Sequence, residues 1–334
     1  MRFGQLMLCD RREGVSSQTR YEQLMEEVRL LDRLGYWSVW FAEHHFDGYA
    51  LIPDAFVWCA AAARETKRIL LGTGVVVLPF QHPVRVAEQA AMVDCLSGGR
   101  LLLGVGRGYQ PHEFKGFGQT LEDSQSRYDQ ALPVILRGLA ESGLSYNSGE
   151  YWQGEQVTAW PKPVQTPIPM WGAAISEASF QRFGKLGWPI LTFPSSTPPE
   201  KLKTQFDLYR STFLEHGHPP ENLRIAATMF TYVSDYADEA NQTFERAIGG
   251  YFEHLDKLTR SAESQQRLYD RLPTTARLSG DPAEVIDSLE SVRSYLGITD
   301  VLNVTHFAGG LTHEQTMRSM ELFGSRVMPF FVND

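Results

Sequence analysis

Residues 43–46, Glu-His-His-Phe, put a carboxyl group and two adjacent imidazoles at the end of an apolar run, 38–42. Histidine changes charge near neutral pH, so this cluster suits general acid–base chemistry. Side chains alternate along an extended chain, which turns His44 and His45 to opposite faces. One is expected to face a pocket while the other braces the backbone. Taken alone, His44 is read either as a satisfied core group or as a working one. No Cys-x-x-Cys or His-Glu-x-x-His is present, which argues against a metal enzyme, and no Gly-x-Ser-x-Gly elbow points to acyl transfer.

Two further stretches could hold an anion. Gly104-Val105-Gly106-Arg107-Gly108-Tyr109 follows an apolar run, but Pro111 comes next and no helix opens directly, so a dinucleotide fingerprint is a poor match. Glycines there allow close approach of a planar ligand, and Arg107 offers a forked cation for phosphate. A tight turn carrying a surface arginine explains the same residues. Ser176, Glu177 and Ser179 sit where a strand meets a helix, so hydroxyls and backbone N–H groups could cradle phosphate at the positive end of the helix dipole. Ser176 is equally a plain helix cap.

The elements that must position these residues alternate along the chain. Strands are expected over 3–8, 38–42, 69–79, 101–106, 169–174, 189–193, 223–233 and 300–305. Helices are expected over 19–34, 54–63, 83–96, 122–139, 176–185, 199–216, 237–258 and 314–328. Eight of each predict a (β/α)8 TIM barrel, one domain over 1–334, with a hairpin insertion at 149–160. The polar segment 259–280 reads as a mobile lid or as a solvated loop. Active sites of such barrels form where strands end, which gathers 43–46, 73–79, 106–109, 174–179 and 192–195 at one rim. That placement adds Glu43, Tyr109 and Ala174 to the cofactor-binding candidates.

The formal charge of −9, with no basic run, argues against nucleic acid or anionic lipid as the partner. Three cysteines, Cys9, Cys59 and Cys95, are expected to be buried and reduced. No window of eighteen apolar residues and no secretory signal is found, which suggests a cytoplasmic protein. In the helix at 84–92, small Ala87, Ala90 and Ala91 beside Arg85, Glu88 and Gln89 are read as a possible dimer seam.

Several pieces in order carry a family resemblance: Glu43-His44-His45-Phe46, Gly72-Thr73 with Val77-Leu78-Pro79, His82-Pro83-Val84-Arg85, the stretch 98–108, Phe117-Gly118, and Leu322-Phe323 with Val327-Met328-Pro329-Phe330. The chain resembles the bacterial luciferase-like flavin monooxygenases, and their α subunit over nearly its whole length. The resemblance implies reduced FMN (FMNH2) delivered by a flavin reductase, its reaction with O2 to a C4a-hydroperoxide, oxygenation of a small organic substrate, and a dimer. It implies that His44 is the acid–base residue, that Arg107, Ser176, Ser179 and Arg127 hold the 5′-phosphate, and that a cis peptide joins Gly74 to Val75 beneath the ring. Gly106 stands where the luciferase α subunit has a cysteine, which implies a larger pocket and bears on light emission. A deazaflavin F420-dependent oxidoreductase on the same barrel, or a non-catalytic flavin-binding partner subunit, are the alternatives.

Overall fold

Strands buried on both faces read as continuous apolar runs, and the barrel strands have that character. The computed structural model describes residues 1–147, 149–259, 272–308 and 310–332. In chain order the strands are β1 (Arg2–Met7), β2 (Ser38–Phe41), β3 (Leu70–Thr73), β4 (Val76–Val77), β5 (Leu101–Gly106), β6 (Leu144–Asn147), β7 (Gln153–Val157), β8 (Met170–Ala173), β9 (Ile190–Thr192), β10 (Ile225–Val233), β11 (Arg277–Gly280) and β12 (Asp300–Val304). The helices are α1 (Ser17–Leu34), α2 (Ala55–Glu65), α3 (Pro83–Ser97), α4 (Pro111–Gly116), α5 (Ser124–Ala140), α6 (Glu177–Leu186), α7 (Pro199–Glu215), α8 (Ala237–Thr259), α9 (Pro282–Leu296), α10 (His313–Leu322) and α11 (Met328–Val332).

Parallel pairing runs β1-β2-β3-β5-β8-β9-β10-β12 and returns to β1, which closes an eight-stranded barrel. All eight expected strands and all eight expected helices are present, and the (β/α)8 architecture holds. Inside the barrel Trp40 is fully buried, its Nε1–H donating to Ser38 Oγ at 2.8 Å and its ring set edge-on to Trp171. Gly72 makes room for it, since a Cβ there would lie 2.2 Å from the indole. Outside, the caps sit where the sequence puts them. Ser16 accepts from Thr19 N–H ahead of α1, Gly35 ends that helix at φ 81°, and Asp54 caps α2.

Some expectations fail for local reasons. The strand read over 69–79 breaks after Thr73 and resumes as β4, with a cis peptide between Gly74 and Val75. The hairpin starts earlier than expected, at Leu144. β11 and α9 were not foreseen: β11 pairs the far half of β10, Phe230 to Val233, beyond the part that β9 covers. Of the lid expected over 259–280, residues 260–271 lie outside the described residues, Thr259 ends α8, and the remainder is a 3-10 turn, Thr274–Ala276, leading into β11. Cys9 and Cys59 are buried as expected, but Cys95 is exposed, its thiol donating to Lys162 O. Ala87, Ala90 and Ala91 face inward and are buried, so they pack within the chain rather than forming an outer seam. No helix among the described residues is long and apolar enough to cross a membrane.

Candidate functional site

The two histidines divide their work as the strand geometry requires. His45 Nε2 lies 3.1 Å from Glu43 Oε1, and Glu43 Oε2 accepts the Val77 N–H at 3.2 Å. This pair therefore ties the end of β2 to β4. Burial pushes the Glu43 carboxyl up, and His45 and the Val77 N–H oppose that shift. His44 turns the other way. Its Nδ1 lies 3.0 Å from Glu113 Oε1, and the rings of Tyr49 and Tyr109 stand edge-on to the imidazole.

Glu113 was not foreseen, nor was its helix. α4 is only six residues, too short for a periodic signal, although Pro111 at its first position was a legible start. Glu113 Oε1 also accepts the His45 N–H at 2.9 Å, so one buried oxygen holds two consecutive residues of the loop. Two aromatic residues from α8 were missed as well. Tyr251 Oη lies 3.0 Å from Tyr49 Oη, and His254 Nε2–H donates to Asp47 at 2.9 Å. Their spacing of three puts both on one helix face, but nothing local in the sequence says that this face meets the 43–49 loop.

The neighbouring rim positions follow from register. Val105 pairs Gly172 and Gly106 comes next to Ala173, so the chain leaves β5 at Arg107 and the neighbouring β8 at Ala174, two residues before Ser176. A Cβ on Gly106 would lie 2.5 Å from Val75 Cγ2 and 3.3 Å from Ala173 Cβ. The room that a glycine was expected to open here is thus taken by Val75. Arg107 is exposed and has no hydrogen bond or ion pair with any described residue. Tyr109 keeps half its surface open, and its phenol is nonetheless pushed up to about 12 by burial and by Glu113.

At the head of α6 Ser176 is the cap, accepting from Ser179 N–H, while Ser179 Oγ accepts from Ile175 and Ser176 N–H at 3.0 Å each and donates to Ser176 O at 2.6 Å. The Ser179 hydroxyl is committed to this box. The N–H groups of Glu177 and Ala178 keep no intrahelical acceptor and carry the positive end of the dipole. Strand order brings Glu43, His44, Gly74, Val75, Gly106, Arg107, Tyr109, Ala174 and Ser176 to one rim through β2, β3, β5 and β8. Arg127 stands apart on α5. Its guanidinium lies over Tyr151 at 4.1 Å and its Nε is buried without a hydrogen-bond partner. Among the aromatics, Phe80 packs against His45 and Phe117, and Phe193 against Phe230, while Trp58 stacks on Phe41 in the outer layer.

No group of residues suited to a metal ion is found among the described residues. His216 and His218, a His-x-His at the end of α7, each bond a carbonyl, Thr212 O and Lys185 O.

The arrangement offers an open imidazole nitrogen, an unpaired cation and a helix N-terminus along one rim. A profile of the luciferase-like monooxygenase family matches residues 1–299. The oxygenase component of the flavin-dependent trigonelline monooxygenase of Acinetobacter baylyi is 28% identical over 99% of this chain and 96% of its own. The alkanal monooxygenase alpha chain of Photorhabdus luminescens is 26% identical over 99% and 97%. The crystal structure of monooxygenase RslO1 from Streptomyces bottropensis superposes with a TM-score of 0.88 at 28% identity, covering 99% of this chain and all of that one. A family match over residues 1–299 on a barrel whose rim carries these residues leads to one conclusion: this chain belongs to the luciferase-like monooxygenases and is an enzyme of that flavin-dependent class.

Proposed function

We propose that the chain is the oxygenase half of a two-component system, in which a separate flavin reductase supplies FMNH2 and the chain uses it with O2 to oxygenate a small organic substrate. The observation that carries this reading is Arg107, an exposed and unpaired guanidinium beside the N-terminus of α6 on the rim that holds His44. A forked cation and a helix N-terminus at the ends of neighbouring strands suit a phosphate dianion. The trigonelline relative, matched nearly end to end, is named as the oxygenase component of its own system.

Bound FMNH2 would supply activation of O2 at its C4a carbon. This chain's part is to hold the phosphate with Arg107, Ser176 and the α6 N–H groups, and to line the ring with Gly74, Val75, Gly106, Tyr109 and Ala174. Glu43 keeps the β4 backbone in place, and His44 Nε2 moves the proton. Val75, Phe193 and Ala308 pack on the apolar barrel interior and keep water away, which suits a neutral, largely apolar substrate. We read residues 1–334 as one such domain, working in the cytoplasm beside its reductase. A homodimer would use the outer faces of α2 and α3, where Val57, Met92 and Leu96 are exposed. A monomer in sedimentation at micromolar concentration contradicts that contact.

The test mixes the chain with FMNH2 without oxygen, then adds O2 and follows the return of oxidised FMN absorbance. Bound flavin is expected to reoxidise more slowly than free FMNH2. Oxygen uptake separates this reaction from hydride exchange with a deazaflavin, which consumes none. Reoxidation indistinguishable from free flavin, with no binding, overturns the proposal.

A further inference from the structure

His44 has two ring nitrogens, and the reaction proposed above needs one of them free. Glu113 Oε1 receives the His45 backbone N–H, which can only donate, so that oxygen is fixed as an acceptor. The same oxygen lies 3.0 Å from His44 Nδ1. Nδ1 must therefore carry the proton, and Nε2, which has no partner among the described residues, is left with its lone pair. This is the reverse of the form that a free histidine side chain prefers in water, so the protein has to enforce it.

The backbone shows how the contact is held. Phe46 sits at φ 63°, in the left-handed region that a bulky residue enters only when its surroundings determine it. Its ring lies against Phe117, and a Cβ added to Gly116 would come within 2.3 Å of it. The His45 ring packs edge-on to Phe117 as well. The loop after β2 is thus clamped to α4 by two aromatic contacts and one carboxyl oxygen, and the clamp sets the distance from Glu113 to His44.

We infer that Glu113 is the positioning residue that selects the Nδ1–H tautomer of His44 and leaves Nε2 as the proton-transferring atom. This inference rests on the reading of His44 as the acid–base group, and its test separates the two.

The chain has nine histidines, and His44→Gln identifies the His44 signals in an 15N spectrum of ring-labelled protein. The native protein is expected to show protonated Nδ1 and bare Nε2. Glu113→Ala is expected to lose that pattern. Glu113→Gln, which keeps an acceptor oxygen for both donors, is expected to retain it, and serves if the alanine variant does not fold. With FMN affinity changed by no more than a few-fold, Glu113→Ala should lower turnover by about a hundredfold, the scale of losing a general acid–base group. In a His44→Ala background the same change should cause no further fall. A protonated Nε2 in the native protein, an unchanged pattern in Glu113→Ala, or a further loss in the double variant each overturns the inference. If the native chain oxygenates nothing, the spectra still decide the tautomer, and only the proposed function fails.

Discussion

Gly106 and Val75 should behave as one unit. In Gly106→Ala the new Cβ would lie 2.5 Å from Val75 Cγ2, about 1 Å short of the ~3.5 Å at which carbon atoms normally meet. Val75 is β-branched and stiff at χ1, so it cannot swing aside cheaply. Overpacking of this kind costs up to about 3 kcal/mol, while replacing a strand glycine by alanine returns about 1 kcal/mol of chain entropy. The overlap wins, for a net loss of about 2 kcal/mol. With an unfolding entropy near ~0.7 kcal/mol/K for a chain of this length, Tm should fall by about 3 °C. Val75→Ala alone should lose about 1 kcal/mol for its partly buried methyl groups. The double variant relieves the overlap and should be more stable than the sum of the two losses by up to about 3 kcal/mol, the whole overlap cost. Urea unfolding followed by tryptophan fluorescence measures all four proteins. A Gly106→Ala protein as stable as the native one, or strict additivity in the cycle, would refute the reasoning.

Other consequences can be measured separately. His44→Ala should leave FMN affinity within a few-fold and reduce turnover by about a hundredfold, as loss of an acid–base group predicts, and an equal fall in affinity would contradict that role. Trp40→Ala removes the largest fully buried side chain of the barrel and should cost about 3–5 kcal/mol in chemical denaturation; a loss under ~1 kcal/mol would mean that the interior collapses around the gap. His313 bonds Glu27 and Glu26, and the Glu27 hydrogen bond raises its pKa against desolvation. A raised folded pKa adds stability that is complete below about pH 6.5 and is lost as pH rises through the folded value. Native unfolding free energy should therefore drop above about pH 6.5 more steeply than that of His313→Gln, and parallel curves would rule the pair out. Burial alone would raise the Glu27 carboxyl, but His306, His313 and Arg20 outweigh it and hold the group well below the carboxylate range. Its stabilisation is present above about pH 4.3 and is lost as pH falls through the folded value, so Glu27→Gln should flatten the acid limb of a stability profile.

The barrel was legible because its strands are buried on both faces and keep an unbroken apolar run, as in 101–106 and 225–233. β11 was not, because Arg277-Leu278-Ser279-Gly280 is four residues long and half polar. α9 did carry a readable start in its Asp281 cap and Pro282. The rim residues that belong to strand ends were found from the chain alone. Glu113, Tyr251 and His254 were not, because each meets the 43–49 loop from a distant element. The larger pocket expected at Gly106 failed for the same reason, since the space a missing side chain leaves belongs to whichever neighbour fills it.

The central claim is that Arg107 and the head of α6 bind the flavin phosphate and so bring the ring to His44. Anaerobic titration of reduced FMN and reduced riboflavin into the native chain and Arg107→Ala tests it most directly. A charge-assisted phosphate contact of about 1.5–3 kcal/mol predicts roughly 10- to 100-fold weaker FMN binding in the variant and unchanged riboflavin binding. Equal losses for both flavins, or no loss for FMN, would contradict the account.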